Sequence, residues 1–234
     1  MVNVKWDKKD LNNSRDTPGV SNLQNVEGTI NPISQGYQHG SLTEGLVAYY
    51  PMEKGEGEIL PDGALNATGK IRGAEWVSNT VVGNNSLDFD ASNNDDVDLG
   101  KNHRYTEGGP WTISVNFYSR DVSSTRQFVT DNGENKTNNT PITRNLGYKN
   151  SKLTVYTGGG GSWVYSNTNL NNNQWYHAVY RYNGDGTLTF YLDGEKDGTV
   201  NVQSDSSSYC DIGYLMSKNG QRHHDGYATD MRIY

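Results

Sequence analysis

The sequence predicts an all-β protein in which two antiparallel sheets stack as a sandwich behind an extended amino-terminal arm. Three observations carry this. Runs rich in rings and β-branched residues recur at short intervals from Gly45 onward, Gly, Asn and Asp turns separate them, and no stretch shows convincing helical spacing. Residues 1–44 stand apart: they hold Pro18, Pro32 and several Gly and Asn, few large apolar groups and no period. They read as an extended polar arm that wraps its own domain, docks on a partner, serves as a linker or stays disordered. The folded domain is expected over residues 45–234, a length that all-β sandwiches commonly reach as one unit.

Taken in order, "LVAYYP" opens the domain, and "GKIRGAEWV", "NSLDFD", "WTISVNFYSR", "RQFVTD", "NLGYKN", "KLTVYTG" and "SWVYSN" follow as strands. The most informative piece is "WYHAVYRYNGDGTLTFYLDGE", residues 175 to 195. Its two ring-rich runs flank Asn183, Gly184, Asp185 and Gly186, which supply the positive-φ positions of a tight antiparallel connection. Tyr176, Ala178, Tyr180 and Tyr182 share one face of the first run; Trp175, His177, Val179 and Arg181 share the other. Large rings on both faces place this strand inside a sheet, and their expected role is packing. "YCDIGYL" and "GYATDMRIY" close the chain as strands.

Composition narrows the function classes. Hydrophobic residues make up 32% and the mean hydropathy is -0.84, yet Tyr 16, Trp 5 and Gly 27 mark a folded, loop-rich β protein, because a disordered chain lacks such an aromatic content. A net charge of -7 provides no basic footprint for nucleic acid or anionic lipid. No apolar stretch is long enough for membrane insertion, and "MVNVKWDKKD" contains no hydrophobic leader. The single Cys210 is expected to be a buried structural thiol.

Five segments carry a resemblance. "GLVAYYPMEKGEGEILPDG", "SLDFDASNNDDVDLG", "WTISVNFYSRD", "WYHAVYRYNGDGTLTFYLDGEKDGT" and "DGYATDMRIY" resemble, in the right order, the successive signatures of the concanavalin A-like lectin/glucanase superfamily in its laminin G-like, pentraxin-like branch. The resemblance spans residues 45–234. It implies a jelly-roll sandwich, ligands that are mostly glycans or other surface molecules, and calcium held at loop carboxylates. One departure matters: the aspartate usual three residues after the glycine of the last strand is Thr229 here, with Asp230 one step later.

Catalysis would need two carboxylates held about 5 to 9.5 Å apart across a sugar. Enzymatic relatives carry Glu-x-Asp-x-x-Glu or a similar pattern on one strand, and no strand here has it. Asp88 and Asp90 share a face but precede a loop, where a solvated acidic turn is the default. Nucleophile-elbow, zinc-type and phosphate-cradling motifs are missing from the sequence as well. A cation site is the sharper reading of that turn, since Asp90, Asn93, Asn94, Asp95 and Asp96 crowd oxygen donors of the kind Ca2+ takes six to eight of. Asp62 and "DNGEN", residues 131 to 135, are alternative contributors.

For a sugar, the expected ligand-binding residues are Trp163 and Tyr165, offering ring faces, with Tyr148, Arg222 and His223 as neighbours. A strand with one buried face is the competing reading of Trp163 and Tyr165. His223 and His224 sit side by side before the last strand, where they should diverge and meet solvent, which argues against joint metal ligation.

The expected function is therefore a non-catalytic lectin-like module that recognises a surface glycan or receptor. A virion appendage or decoration in host attachment fits a chain with no visible leader, with residues 1–44 joining a shell or tail protein or a homo-oligomer; a cell-surface adhesin or secreted lectin is the companion setting. A purely structural particle decoration and a glycoside hydrolase-like enzyme are the alternatives. Location is expected outside the cell or on a virion surface.

Overall fold

The computed structural model describes residues 42–64, 68–104, 109–130, 146–156, 162–202, 211–217 and 221–234. The chain divides into Met1–Glu44 and Gly45–Tyr234. The arm expected over the first lies outside the described residues apart from Leu42–Glu44, as do "DNGEN" and Cys210. The described residues contain sixteen strands and no helix.

In chain order the strands are β1 (Ala48–Tyr50), β2 (Ile59–Leu60), β3 (Gly69–Arg72), β4 (Glu75–Val77), β5 (Ser86–Phe89), β6 (Asp96–Arg104), β7 (Trp111–Ser119) and β8 (Arg126–Thr130). They continue as β9 (Leu146–Lys149), β10 (Lys152–Tyr156), β11 (Trp163–Tyr165), β12 (Gln174–Tyr182), β13 (Thr187–Leu192), β14 (Glu195–Asn201), β15 (Asp211–Leu215) and β16 (Gly226–Ile233). Every pairing is antiparallel. Sheet I runs β14-β13-β12-β7-β16-β5-β4, with β1 also on β16; sheet II runs β11-β10-β9-β8-β15-β6-β3-β2. This is the two-layer jelly-roll sandwich that the sequence predicts.

The two-residue period decides what is inside. On β12, Tyr176, Ala178, Tyr180 and Tyr182 are buried, and on β7 so are Trp111, Ile113, Val115 and Phe117. From sheet II, Phe128, Leu146, Tyr148, Leu153 and Val155 meet them, all at most 1% exposed. Phe117 lies 4.8 Å from Phe128 and 5.5 Å from Tyr148, centroid to centroid. Burying each such ring stabilises the fold by about 1.5–3 kcal/mol. β12 sits between β7 and β13, the interior position its two ringed faces predict. Asp193 and Gly194, at φ 51° and 86°, form the two positive-φ positions of the turn between β13 and β14.

One expected element splits. "GKIRGAEWV" reads as a single strand, but β3 belongs to sheet II and β4 to sheet I. The chain changes layers at Gly73, where φ is +83° and a Cβ would lie 1.9 Å from Asp95 Oδ1, a position only glycine accommodates. The turn after β5 likewise carries the chain from sheet I to sheet II, so two crossings lie side by side at one rim.

Candidate functional site

The outward face of sheet I gathers three rings from distant parts of the sequence. Register pairs Trp175 of β12 with Tyr118 of β7, Tyr118 with Tyr227 of β16, Tyr227 with Asp88 of β5, and Asp88 with Glu75 of β4. Centroids lie 5.9 Å apart for Trp175–Tyr118, 5.0 Å for Tyr118–Tyr227 and 6.1 Å for Trp175–Tyr227. The outer two rings come from strands two spacings apart, roughly 10 Å, so they lean toward each other over Tyr118. All three are half-buried, with surface left to offer a ligand.

Polar groups border this triad. His177 and Asn116 occupy the next rung on the same face; burial holds the His177 imidazole below its ordinary pKa, so it stands there neutral. The Asn116 amide reaches Asp230 Oδ2 at 3.5 Å. Asp230, at φ 51°, sits in an irregularity of β16 between Thr229 and Arg232. Thr229 is buried and donates its hydroxyl to the Pro51 carbonyl. The bulge therefore returns to the outer face the carboxylate that the Thr229 departure had put in question, with Arg232 Nη2 2.8 Å from it.

A buried relay fixes the strands beneath the rings. His224 is fully buried, and burial pulls its imidazole down to about 3, so it is neutral. Its Nε2 lies 3.2 Å from the Tyr227 carbonyl, which can only accept; Nε2 therefore carries the proton and Nδ1 accepts from the Tyr148 hydroxyl at 3.1 Å. Tyr148 Oη must then accept from Ser119 Oγ, 2.8 Å away, and Ser119 Oγ accepts from the Asp121 N–H.

At the end of the same rung opens a cleft of about 360 Å3, lined by Gly73, Glu75, Asp88, Asp90, Asn93, Asp95, Arg120 and Asp225. Arg120 bridges the triad and the cleft. Its guanidinium lies 4.9 Å from the Tyr227 ring, grips both oxygens of Asp88 at 2.7 and 2.8 Å, and reaches Asp225 at 3.3 Å. Asp90 is held by its own turn: its carboxylate accepts from the Ser92 hydroxyl and N–H and from Asn93, and the Ser92 hydroxyl above all keeps its pKa low. Asp95 is 4% exposed; its Oδ2 accepts from the Asp90 N–H, while Oδ1 is buried with no hydrogen-bond partner. Burial first, and the Asp90 and Asp88 charges next to it, push this carboxyl up against the opposing Asp90 N–H.

The four residues expected to form a metal set are thus divided. Asp90, Asn93 and Asp95 line the cleft, but Asp96 opens β6 and turns to sheet II, where Arg72 holds it at 2.6 and 2.7 Å and the Ser217 hydroxyl donates to it. Among the described residues no group of three His, Cys, Asp or Glu side chains is gathered as a metal would need. Asp62, the alternative contributor, is buried and accepts from the Tyr49 and Ala64 N–H groups.

The expected ring site is assembled in part. Trp163 and Tyr165 lie on one face of β11, the edge strand of sheet II, both half-buried. Tyr156 packs edge-on to Trp163 at 5.2 Å, and Lys149 and Arg222 stand 4.9 and 5.3 Å from its centroid, so Trp163 and Arg222 do meet. Tyr148 does not join them. It is wholly buried among Phe117, Phe128 and His224, because on β9 it faces the core while Lys149 beside it faces out. His223, 3% exposed, donates Nδ1–H to the Asp95 carbonyl at 2.9 Å. The two histidines diverge as expected, yet both are buried rather than solvated: one pins Tyr227, the other Asp95.

The residues missed are Tyr118, Trp175 and Tyr227. Their only local signal is strand alternation, which sets Trp175 on the face that ends in Arg181.

With this geometry in place, comparison with known proteins decides the family. The laminin G-like model of the concanavalin A-like lectin/glucanases superfamily matches residues 90–234. The chain belongs to this superfamily. Curated protein sequences give no match. Among solved structures it is similar to domain 4 of AbnA, a GH43 extracellular arabinanase from Geobacillus stearothermophilus, in complex with arabinotriose, at 13% identity and TM-score 0.55, covering 81% of this chain and 91% of that one. It is also similar to the binding domain of Paraclostridial Mosquitocidal Protein 1, at 14% identity and TM-score 0.56, covering 82% of this chain and 49% of that one. Trypanosoma rangeli sialidase in complex with 2,3-difluorosialic acid gives 16% identity and TM-score 0.58, covering 82% and 30%. The chain thus matches about half of the mosquitocidal binding domain and less than a third of the sialidase. At these identities the likeness is one of fold.

Proposed function

We propose that the domain is a non-catalytic glycan-binding module whose ligand lies on the triad of Trp175, Tyr118 and Tyr227. The observation that carries this reading is the convergence of three half-buried rings from three neighbouring strands on an outward sheet face. Core packing does not require it, since the inward face of the same strands already fills the interior. A pyranose sets its apolar C–H face on such rings while neutral His177 and Arg120, both partly exposed beside them, offer polar groups to its hydroxyls.

A binding role is supported over hydrolysis by how the cleft carboxylates are engaged: Arg120 clamps Asp88, and Asp90 is held by Ser92 and Asn93. The setting we propose is attachment, with the domain as a head on a virion or cell surface and residues 1–44 as its anchor. Contact through rings needs no cation, so calcium is not part of the proposed contact. Neighbours in complex with arabinotriose and a sialic acid derivative are in keeping with a glycan ligand.

Glycan-array binding by the wild type and by Trp175→Ala, with and without chelator, tests this. Binding lost in the variant and retained in chelator is the expected outcome. Binding unchanged in Trp175→Ala, or release of reducing sugar from a bound oligosaccharide, refutes it.

A further inference from the structure

We infer that the cleft beside the triad is a subsite for an ammonium group, the free amine of an amino sugar whose neighbouring ring lies on Trp175, Tyr118 and Tyr227. The inference rests on the glycan-binding reading and deepens it.

Charge comes first. Five carboxylates, Glu75, Asp88, Asp90, Asp95 and Asp225, line the cleft with one cation, Arg120, and that cation is already held by Asp88 and Asp225. Glu75, Asp90 and Asp95 are left without a counter-charge in the cleft.

The second observation is independent of charge. Asp95 lines the cleft, and its buried Oδ1 receives no hydrogen bond, a costly state for a carboxylate oxygen. Its carbonyl is tied to His223 and its Oδ2 to the Asp90 N–H, so the carboxylate cannot swing away to find water. A Cβ at Gly73 would fall 1.9 Å from Oδ1, so the glycine is what lets the carboxylate sit at this seam. What is missing is a charged donor that approaches from the cleft.

Donor geometry separates the candidates. A hard divalent ion needs six to eight oxygens drawn in to 2.3–2.6 Å, and no three acidic or imidazole side chains among the described residues are gathered that way. An ammonium group carries three donors and takes acceptors at ordinary hydrogen-bond distance from separate directions. The guanidinium already resting on Tyr227 shows that cation and ring coexist at this seam. From Tyr227, Asp88 is one strand spacing away and Glu75 two, roughly 10 Å in all, a span that adjacent sugar rings cover.

The test compares deacetylated and N-acetylated chito-oligosaccharides of equal length by calorimetry at mildly acidic pH, where the amine is protonated. The deacetylated ligand should bind more tightly by about tenfold, the value of one charge-assisted hydrogen bond. Glu75→Gln, an exposed change, and Asp95→Asn should each erase that preference, while Trp175→Ala abolishes binding of both ligands. If the two ligands bind alike and Trp175→Ala still abolishes both, the subsite is overturned and the ring site stands. Should neither ligand bind although other glycans do, the subsite also falls; with no glycan bound at all, both readings fall. A calcium titration that shows binding in the wild type, lost in Asp95→Asn, would give the cleft to a divalent ion and overturn the inference.

Discussion

Phe117 and Tyr118 are neighbours on β7, and so are Tyr176 and Trp175 on β12; in each pair one ring points into the sandwich and the other out. The inner rings meet others across the layers, Phe117 with Phe128 and Tyr148, and are 0–5% exposed. The outer rings pack on one another within sheet I, with Arg120, Asp88 and His177 around them and Asn173 accepting from the Tyr118 hydroxyl at 3.3 Å. One residue class thus does two jobs on one pair of strands, and the second layer decides which. Where the other sheet covers a ring it becomes structure; where nothing covers it, polar partners collect beside it.

That contrast can be broken most strongly from inside. Phe117→Ala removes the ring that touches Phe128, Tyr148 and Tyr176 and should cost about 3–5 kcal/mol, read as a shift in urea midpoint. Tyr118→Ala, one residue away, should cost about 1 kcal/mol. Equal losses would refute the division.

Acid sharpens the contrast further. Burial lowers the His224 pKa from 6.5 in the unfolded chain to about 3 in the fold, so between those values the unfolded state binds a proton that the folded state refuses. Stability present above about 6.5 is lost as pH falls through that window, by at most about 1.4 kcal/mol per pH unit. Urea titrations of the wild type and His224→Gln across the window should show the slope in the former and its flattening in the latter. His177, on the outer face, is less deeply buried, and His177→Gln should leave most of the slope in place.

The affinity contrast costs the fold least. Trp175→Ala should abolish detectable glycan binding while leaving the fold intact by circular dichroism. Trp163→Ala, at the β11 edge beside Lys149 and Arg222, should leave affinity for a neutral glycan unchanged. If the two tryptophans exchange these outcomes, the site belongs to sheet II.

The strand pattern made the fold legible, because alternation along Trp175–Tyr182 and Thr187–Leu192 is a local property. The site was not legible, for the opposite reason. Tyr118, Trp175 and Tyr227 are far apart in sequence and meet only through the β12–β7–β16 order, which no single segment encodes. Tyr148 and His223 looked free because their segments are polar, yet Lys149 takes the outer side of β9 and Asp95 supplies a carbonyl for His223. Trp163 and Arg222 do meet, and their pairing was legible because a ring beside a glycine-rich run is conspicuous locally. The break at Gly73 was hidden by continuous strand-forming residues on either side of it.

That break gives the domain a rivet hole. Two of the backbone passages between the layers, at Gly73 and at the turn holding Asp90 to Asp95, border one cavity, so whatever fills it fastens upper and lower leaves together. Occupancy should then register as heat resistance of the whole domain, and melting temperature alone becomes a reporter for screening guests.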